Sequence, residues 1–470
     1  MSRTGTKVPQ TQQPGSSSNS SGRNSRPLAN KKRIILCSDG TWSSSDQGTK
    51  SDPSNVARLA RAIAPRGLTK DNQVIKQIVS YHQGLGSGYL PLPKLLVGGF
   101  GWGLAEDVCE IYDFISNNYE PGDELFLFGF SRGAYTVRSV AGLISDVGVL
   151  SARHMSQFPE LWKEYRARSP TGTFKDSQWW KDHEKDFDYQ DVKIEVVGVW
   201  DTVGALGIPE WRTVRWLIDS GLPINNKYRF HNTGLSERIG HAFQVLALDE
   251  KRAVFPPTLW HKTPNGPPLD LQQCWFPGVH GDIGGTEPGD IGINTFAWMA
   301  DNLSGLLTFE EEAIVDLITE HNRALTDRNQ RWGCGSIVGN FAGPMGIAWR
   351  LLGRKDRTPG NYPPDTTKNM PSDATCTNET FHPMVWIRHR TLAGAWAPPS
   401  LSEFTPRKRD NDWHWEKDGQ PPVPEYQTSR DTTMSIAYRI GSGDLDFKTK
   451  QSMSSILCPG EIQQELKDRS

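Results

Sequence analysis

Residues 123–147 constrain the fold more than any other stretch, and they divide into three parts. Residues 125–128 are a short continuous apolar run, as expected for a strand buried on both faces of a parallel sheet. Gly129-Phe130-Ser131-Arg132-Gly133 fits G-x-S-x-G, and Ala134, Val137, Val140, Ala141 and Ile144 then recur at helical spacing. Strand, tight turn and helix with a serine at the apex is the layout of a nucleophile elbow. The flanking glycines let the backbone pass where strand and helix leave no room for a Cβ. The turn lifts the Ser131 hydroxyl clear of the sheet. It also sets the Arg132 N–H at a helix N-terminus, where developing negative charge is stabilised. The pentapeptide alone is weak evidence in a glycine-rich chain. Its strand-to-helix context separates it from an ordinary turn with a serine N-cap.

The elements around the elbow alternate. A strand at 33–37 leads into the polar turn 38–42, followed by a helix over 54–64, where Val56, Leu59, Ala60 and Ile63 share a face. A second strand at 74–81, a helix within 99–119 and the elbow strand follow. This order predicts an α/β fold with a mostly parallel sheet flanked by helices and joined by right-handed crossovers. The glycine-rich turns after the first two strands match neither phosphate-binding pattern, so nucleotide binding is not expected.

Residues 192–200 form a further strand ending at Asp201, and 239–248 another. The apolar run 274–279 leads to His280 and a glycine-rich turn. Ligand sites in open parallel sheets lie beyond the carboxyl ends of strands, which puts Asp201 and His280 on the same rim as Ser131. The order Ser131, Asp201, His280 is that of the α/β-hydrolases. A serine hydroxyl needs a base to take its proton, which is the role for His280; Asp201 would fix the imidazole tautomer and steady the imidazolium. An oxyanion hole needs two N–H donors: Arg132 is expected to supply one, and Gly40 or Thr41, after the first strand, the other. Asp249 and Asp282 are the competing acids.

The remainder is read as additions to this sheet. Residues 1–32, rich in Ser, Gln, Asn, Gly and Pro and carrying bases but no acid, are expected to be a disordered tail. The hydrolase domain is expected over 33–395, with cap insertions at about 150–190 and 205–235 folding over the site and a Pro- and polar-rich C-terminal extension at 396–470. Residues 209–220 read as a cap helix, 296–306 and 310–321 as helices, and 354–380 and 397–433 as loops separated by a strand-like run at 384–387. The chain has seventeen tryptophans. Those at 162, 179, 180, 211 and 216 fall in the cap segments, where they either pin the cap to the core or open onto lipid, since an indole suits an apolar–water boundary. Trp211 and Trp216 are the candidate substrate-binding residues.

A net charge of −2 gives no reason to expect nucleic-acid binding. Six scattered cysteines with no C-x-x-C pair point to neither a zinc site nor a disulfide framework, and no metal or cofactor is expected. The tail has no apolar h-region and no stretch approaches the length of a membrane span, so a cytoplasmic protein is expected. Peripheral contact with a membrane stays open.

Six motifs in order carry a resemblance over residues 32–390: Asp39-Gly-Thr-Trp42, Tyr81-His-Gln-Gly-Leu-Gly86, Gly129-Phe-Ser-Arg-Gly-Ala-Tyr135, Val199-Trp-Asp-Thr-Val203, Phe276-Pro-Gly-Val-His-Gly-Asp-Ile-Gly-Gly285 and Phe381-His-Pro383. Together they resemble the α/β-hydrolase family typified by the catalytic domain of type VI secretion phospholipase effectors, which has many uncharacterised fungal members. The resemblance implies a Ser131–Asp201–His280 triad and ester hydrolysis on lipids, with phospholipase activity in the bacterial effectors. A small-ester, thioester or deacylase activity with the same triad, and a catalytically silent binding protein of the same fold, stay open as alternatives.

Overall fold

The computed structural model describes residues 26–40, 52–84, 104–168, 173–203, 235–253, 255–262, 269–341, 346, 349–350, 353–362, 376–427, 434–440, 444–450 and 452–469. Its centre is an eight-stranded sheet. In chain order the strands are β1 (Leu28–Ser38), β2 (Arg66–Leu68), β3 (Val74–His82), β4 (Glu124–Phe130), β5 (Ile194–Trp200), β6 (Ile239–Ala247), β7 (Asp270–Phe276) and β8 (Glu379–Phe381). Across the sheet they run β8-β7-β6-β5-β4-β1-β3-β2. Every pairing is parallel except the β2–β3 edge.

The continuous apolar runs are explained by layers on both faces. In β1, Ile34 and Leu36 join one hydrophobic cluster while Ile35 and Cys37 join the other; in β4, Leu125 and Leu127 oppose Phe126, Phe128 and Phe130. Successive strand residues point to opposite faces, so a strand covered on both sides has no polar phase. Helices α2 (Leu104–Asn118) and α3 (Ser131–Val147) cover the first face. Helices α1 (Asn55–Ala62), α4 (Asp290–Asn302), α5 (Glu311–Asp327) and α6 (Pro383–Thr391) cover the second. The chain passes from β1 out to β3 and then back across β1 to β4. That reversal is the switch point where an open parallel sheet leaves a crevice at its carboxyl edge.

Several expectations need correction. The first strand begins at Leu28, inside the stretch read as tail. Lys31 and Lys32 are fixed there on Glu124 and Asp123, both at 2.6 Å. The run 384–387 is helical: His382 accepts the Met384 N–H as N-cap, Pro383 occupies the first turn, and the helix is buried on nearly all sides. Four apolar residues carry no period by which to tell strand from buried helix. Within 397–433, Thr405–Arg409, Asp412–Glu416 and Val423–Pro424 form an antiparallel sheet. The C-terminal segment also shares the main core. Met453, Leu457 and Ile462 lie in the second-face cluster, and Asp301 accepts the backbone N–H groups of Met453 and Ser454 at 2.7 and 3.0 Å.

The segment 150–190 leaves the carboxyl end of α3 and returns to the amino end of β5, so both its ends lie at the edge opposite Ser131. Tyr165 donates to Asp146 near the end of α3, and Phe158 stacks on Tyr112 of α2. Trp162 and Trp180 are buried in the first-face core. These rings pin the insertion to α2 and α3 rather than holding it over the site. All but the last residue of the cap expected at 205–235, with its helix at 209–220 and Trp211 and Trp216, lies outside the described residues.

Candidate active site

Ser131 follows β4 at the switch point and begins α3 with φ +56°, a left-handed conformation uncommon for a residue with a side chain. Two glycines make the turn possible. A Cβ on Gly129 would lie 2.5 Å from the Gly133 carbonyl oxygen, and one on Gly133 would lie 2.1 Å from the Ser38 carbonyl oxygen in β1. Both obstacles are backbone, which no rotamer change relieves. Gly133→Ala is therefore expected to force α3 away from β1, with a stability loss of about 1–3 kcal/mol and a displaced Ser131. A lower Tm with impaired hydrolysis is the expected pair of readings; a wild-type Tm would mean that the helix is not held this closely.

Asp201 directly follows β5, also with positive φ (+39°), and is fully buried. His280 opens the short helix His280–Gly284 after β7. The three side chains meet: His280 Nε2 is 2.7 Å from Ser131 Oγ, and His280 Nδ1 is 2.7 Å from Asp201 Oδ2. Burial alone would raise the Asp201 carboxyl, but Arg357 and His280 outweigh it and hold the group well below the ordinary carboxylate range. An ionised carboxylate only accepts hydrogen bonds, so the proton between His280 and Asp201 sits on Nδ1, and Nε2 is left to accept from the serine.

The competing acids are committed elsewhere. Asp249 accepts from the Gly278 N–H and the Trp396 indole at 2.7 and 2.9 Å, and Asp282 accepts from the Val279 N–H at 2.8 Å. Both shape the loop that carries His280 without touching its ring nitrogens. Asn55 steadies the same loop from α1, donating to the carbonyl oxygens of Ile283 and Gly292.

For the oxyanion donors the picture is divided. Arg132 lies in the first turn of α3, where backbone N–H groups point out of the helix end. Gly40 follows β1 beside the elbow, but its N–H donates to its neighbour Asp39 Oδ1 at 2.7 Å. Asp39 is a buried carboxyl that gathers donors: Ser54 and Tyr81 also reach it, at 2.5 and 2.6 Å. Thr41 lies outside the described residues.

Sequence reasoning missed two groups at this site. Phe130 and Phe255 flank the imidazole with ring centroids 4.8 and 5.0 Å away, and Trp349 packs edge-on to Phe255. Phe255 comes shortly after β6, so its place near the rim was the one available signal. Arg357 forks onto Asp201 at 3.1 Å through both terminal nitrogens; it comes from a Pro- and polar-rich stretch with no periodicity to mark it. A cavity of about 910 Å³ lined by Trp332, His382, Trp413 and Arg469, among others, contains none of the three rim residues. Among the described residues that line it, no serine or cysteine is hydrogen-bonded to His382, whereas Ser131 and His280 are paired at the rim. Among the described residues no group of His, Cys, Asp and Glu is arranged to hold a metal ion, and no helix is long and apolar enough to cross a membrane.

Comparison with known proteins gives the following. The family profile described as T6SS, phospholipase effector Tle1-like, catalytic domain, matches residues 32–302. The uncharacterized protein YEL023C of Saccharomyces cerevisiae is 29% identical over 264 residues, which is 52% of this chain and 35% of that protein. The chain thus spans about a third of the length of this curated relative. The Tle1 effector bound to the VgrG spike from the type 6 secretion system aligns at 20% identity with a TM-score of 0.30, over 56% of this chain and 52% of that one. An uncharacterized protein from Pseudomonas aeruginosa aligns at 15% identity with a TM-score of 0.37, over 68% and 52%.

Proposed function

This chain belongs to the family of type VI secretion Tle1-like phospholipase effector catalytic domains, and from that premise we propose that it hydrolyses acyl esters of lipids through a Ser131–His280–Asp201 triad. The observation that carries the reading is the unbroken hydrogen-bond chain from Ser131 Oγ through the His280 ring to Asp201, 2.7 Å at each link. His280 Nε2 takes the hydroxyl proton as Ser131 Oγ attacks the ester carbonyl. The tetrahedral oxyanion is stabilised by the Arg132 N–H and by a second donor from the turn after β1; Asp39 occupies the Gly40 N–H, which leaves the Thr41 N–H of the two expected donors. The imidazolium then protonates the departing alcohol, leaving an acyl group on Ser131. A water molecule, deprotonated by His280, releases the acid and restores the serine.

Lipid as substrate rests on the family. Trp211 and Trp216 are proposed to line the mouth and give the protein its peripheral contact with a lipid surface. The test is fatty-acid release from phosphatidylcholine vesicles, set beside short-chain soluble esters and acyl thioesters at matched concentration. Preferred hydrolysis of the vesicle lipid is expected. Turnover of soluble esters with intact vesicles would make the protein a small-ester hydrolase, and no turnover of any substrate would make it a binding protein.

A further inference from the structure

We propose that Arg357 is a positioning residue that locks the Asp201 carboxylate in the one rotation that serves His280. The inference rests on the triad reading, and it draws on a part of the chain beyond the family match at 32–302. Asp201 has four acceptor positions and all are filled. Oδ1 accepts from the Ala247 N–H and Arg357 Nη1, both at 3.1 Å; Oδ2 accepts from His280 Nδ1 at 2.7 Å and Arg357 Nη2 at 3.1 Å. A planar guanidinium gripping both oxygens fixes the carboxylate plane, which a point charge cannot do. Rotation of the carboxylate would break two or more of these bonds at a residue that is fully buried.

Arg357 is itself held in place. Its Nη2 also donates to the Phe255 carbonyl oxygen at 2.9 Å. The strand-like stretch before it runs antiparallel to 251–253, with Ala253 N–H to Gly353 O at 3.1 Å and Lys355 N–H to Lys251 O at 2.9 Å. One tether therefore joins the acid to Phe255, the ring beside His280. Glu250, the nearby buried acid, is engaged by Arg252 at 2.7 Å, which leaves the Arg357 fork to Asp201. The arginine also keeps a negative charge tolerable in a dry site, since a buried carboxylate without a cation takes up a proton instead.

The test compares Arg357→Met, which removes charge and fork, with Arg357→Lys, which keeps the charge. Two quantities are read: the far-downfield proton resonance of His280 Nδ1 in the resting protein, assigned by its loss in His280→Asn, and kcat against KM. In the Met variant the resonance is expected to vanish and kcat to fall at least about 100-fold, toward the ~10⁴-fold loss of a triad whose acid has become an amide, with KM little changed. The Lys variant should recover part of both. Retention of the resonance and of wild-type kcat in the Met variant would overturn the assignment. So would equal kcat losses in both variants with the resonance intact, because that marks a role in folding alone. The resonance requires no turnover. A wild-type protein that shows it but cleaves no ester contradicts the proposed function, and the spectra of the two variants still decide the role of Arg357.

Discussion

Ser131→Ala is expected to abolish ester hydrolysis, with a loss of about 10⁶ in kcat by analogy with serine-protease nucleophile variants, while Tm shifts by no more than a few degrees. The two halves of this expectation have separate causes. Alanine keeps the Cβ, so the φ of +56° is neither better nor worse accommodated than with serine, and the glycine-walled turn is unaltered. What is lost is one hydroxyl and its hydrogen bond to His280 Nε2, a net term of about 1 kcal/mol. The chemistry has no such tolerance, because no other described hydroxyl bonds to His280 Nε2. Kinetics and thermal unfolding on the same preparation check both halves. An active Ala variant would remove Ser131 from the mechanism; an inactive variant that is also badly destabilised would make the serine a structural element.

Asp201→Asn is expected to lower kcat by about 10⁴ and, unlike Ser131→Ala, to lower stability as well. The amide oxygen and nitrogen cannot serve every partner that the carboxylate serves. If the amide nitrogen faces His280, it demands an acceptor at Nδ1 and turns the imidazole to the wrong tautomer. If it faces Arg357 or the Ala247 N–H, two donors confront each other. Either way the buried guanidinium loses its counter-charge, and removing one partner of a buried ion pair costs about 3–5 kcal/mol. Asp249→Asn is the comparison, since its oxygens serve Gly278 and Trp396. A dead Asp249→Asn beside an active Asp201→Asn would move the acid to Asp249; a fully stable Asp201→Asn would show that the Arg357 fork contributes little.

The parts of this architecture that were legible in the sequence are those with a strong local cause. The strand at β4 is apolar because both faces are covered, and the elbow carries glycines because Ser38 and Gly133 nearly touch. Asp201 and His280 could be placed because each ends an apolar run at the same rim. Features that depend on distant partners were not legible. Arg357 lies 156 positions from Asp201, in a polar stretch with no period to mark it out from Arg354 beside it. Residues 384–387 form a helix because of what packs around them and because His382 and Pro383 start it, not because of any period in four residues. The three-residue β2 is too short to show alternation, and it pairs only because β3 presents an open edge. The insertion at 150–190 shows the opposite failure. Its aromatic content was visible, but composition does not say at which edge of a sheet a segment leaves and returns.

Whether Ser131 is a nucleophile activated by His280 is read from intact-mass and peptide mass spectrometry of the wild-type protein after exposure to a fluorophosphonate. One adduct per chain is expected, on the peptide containing Gly129-Phe-Ser-Arg-Gly133 and localised to Ser131, formed slowly or not at all in His280→Asn. An unmodified protein, or an adduct on another residue with Ser131 untouched, would contradict it.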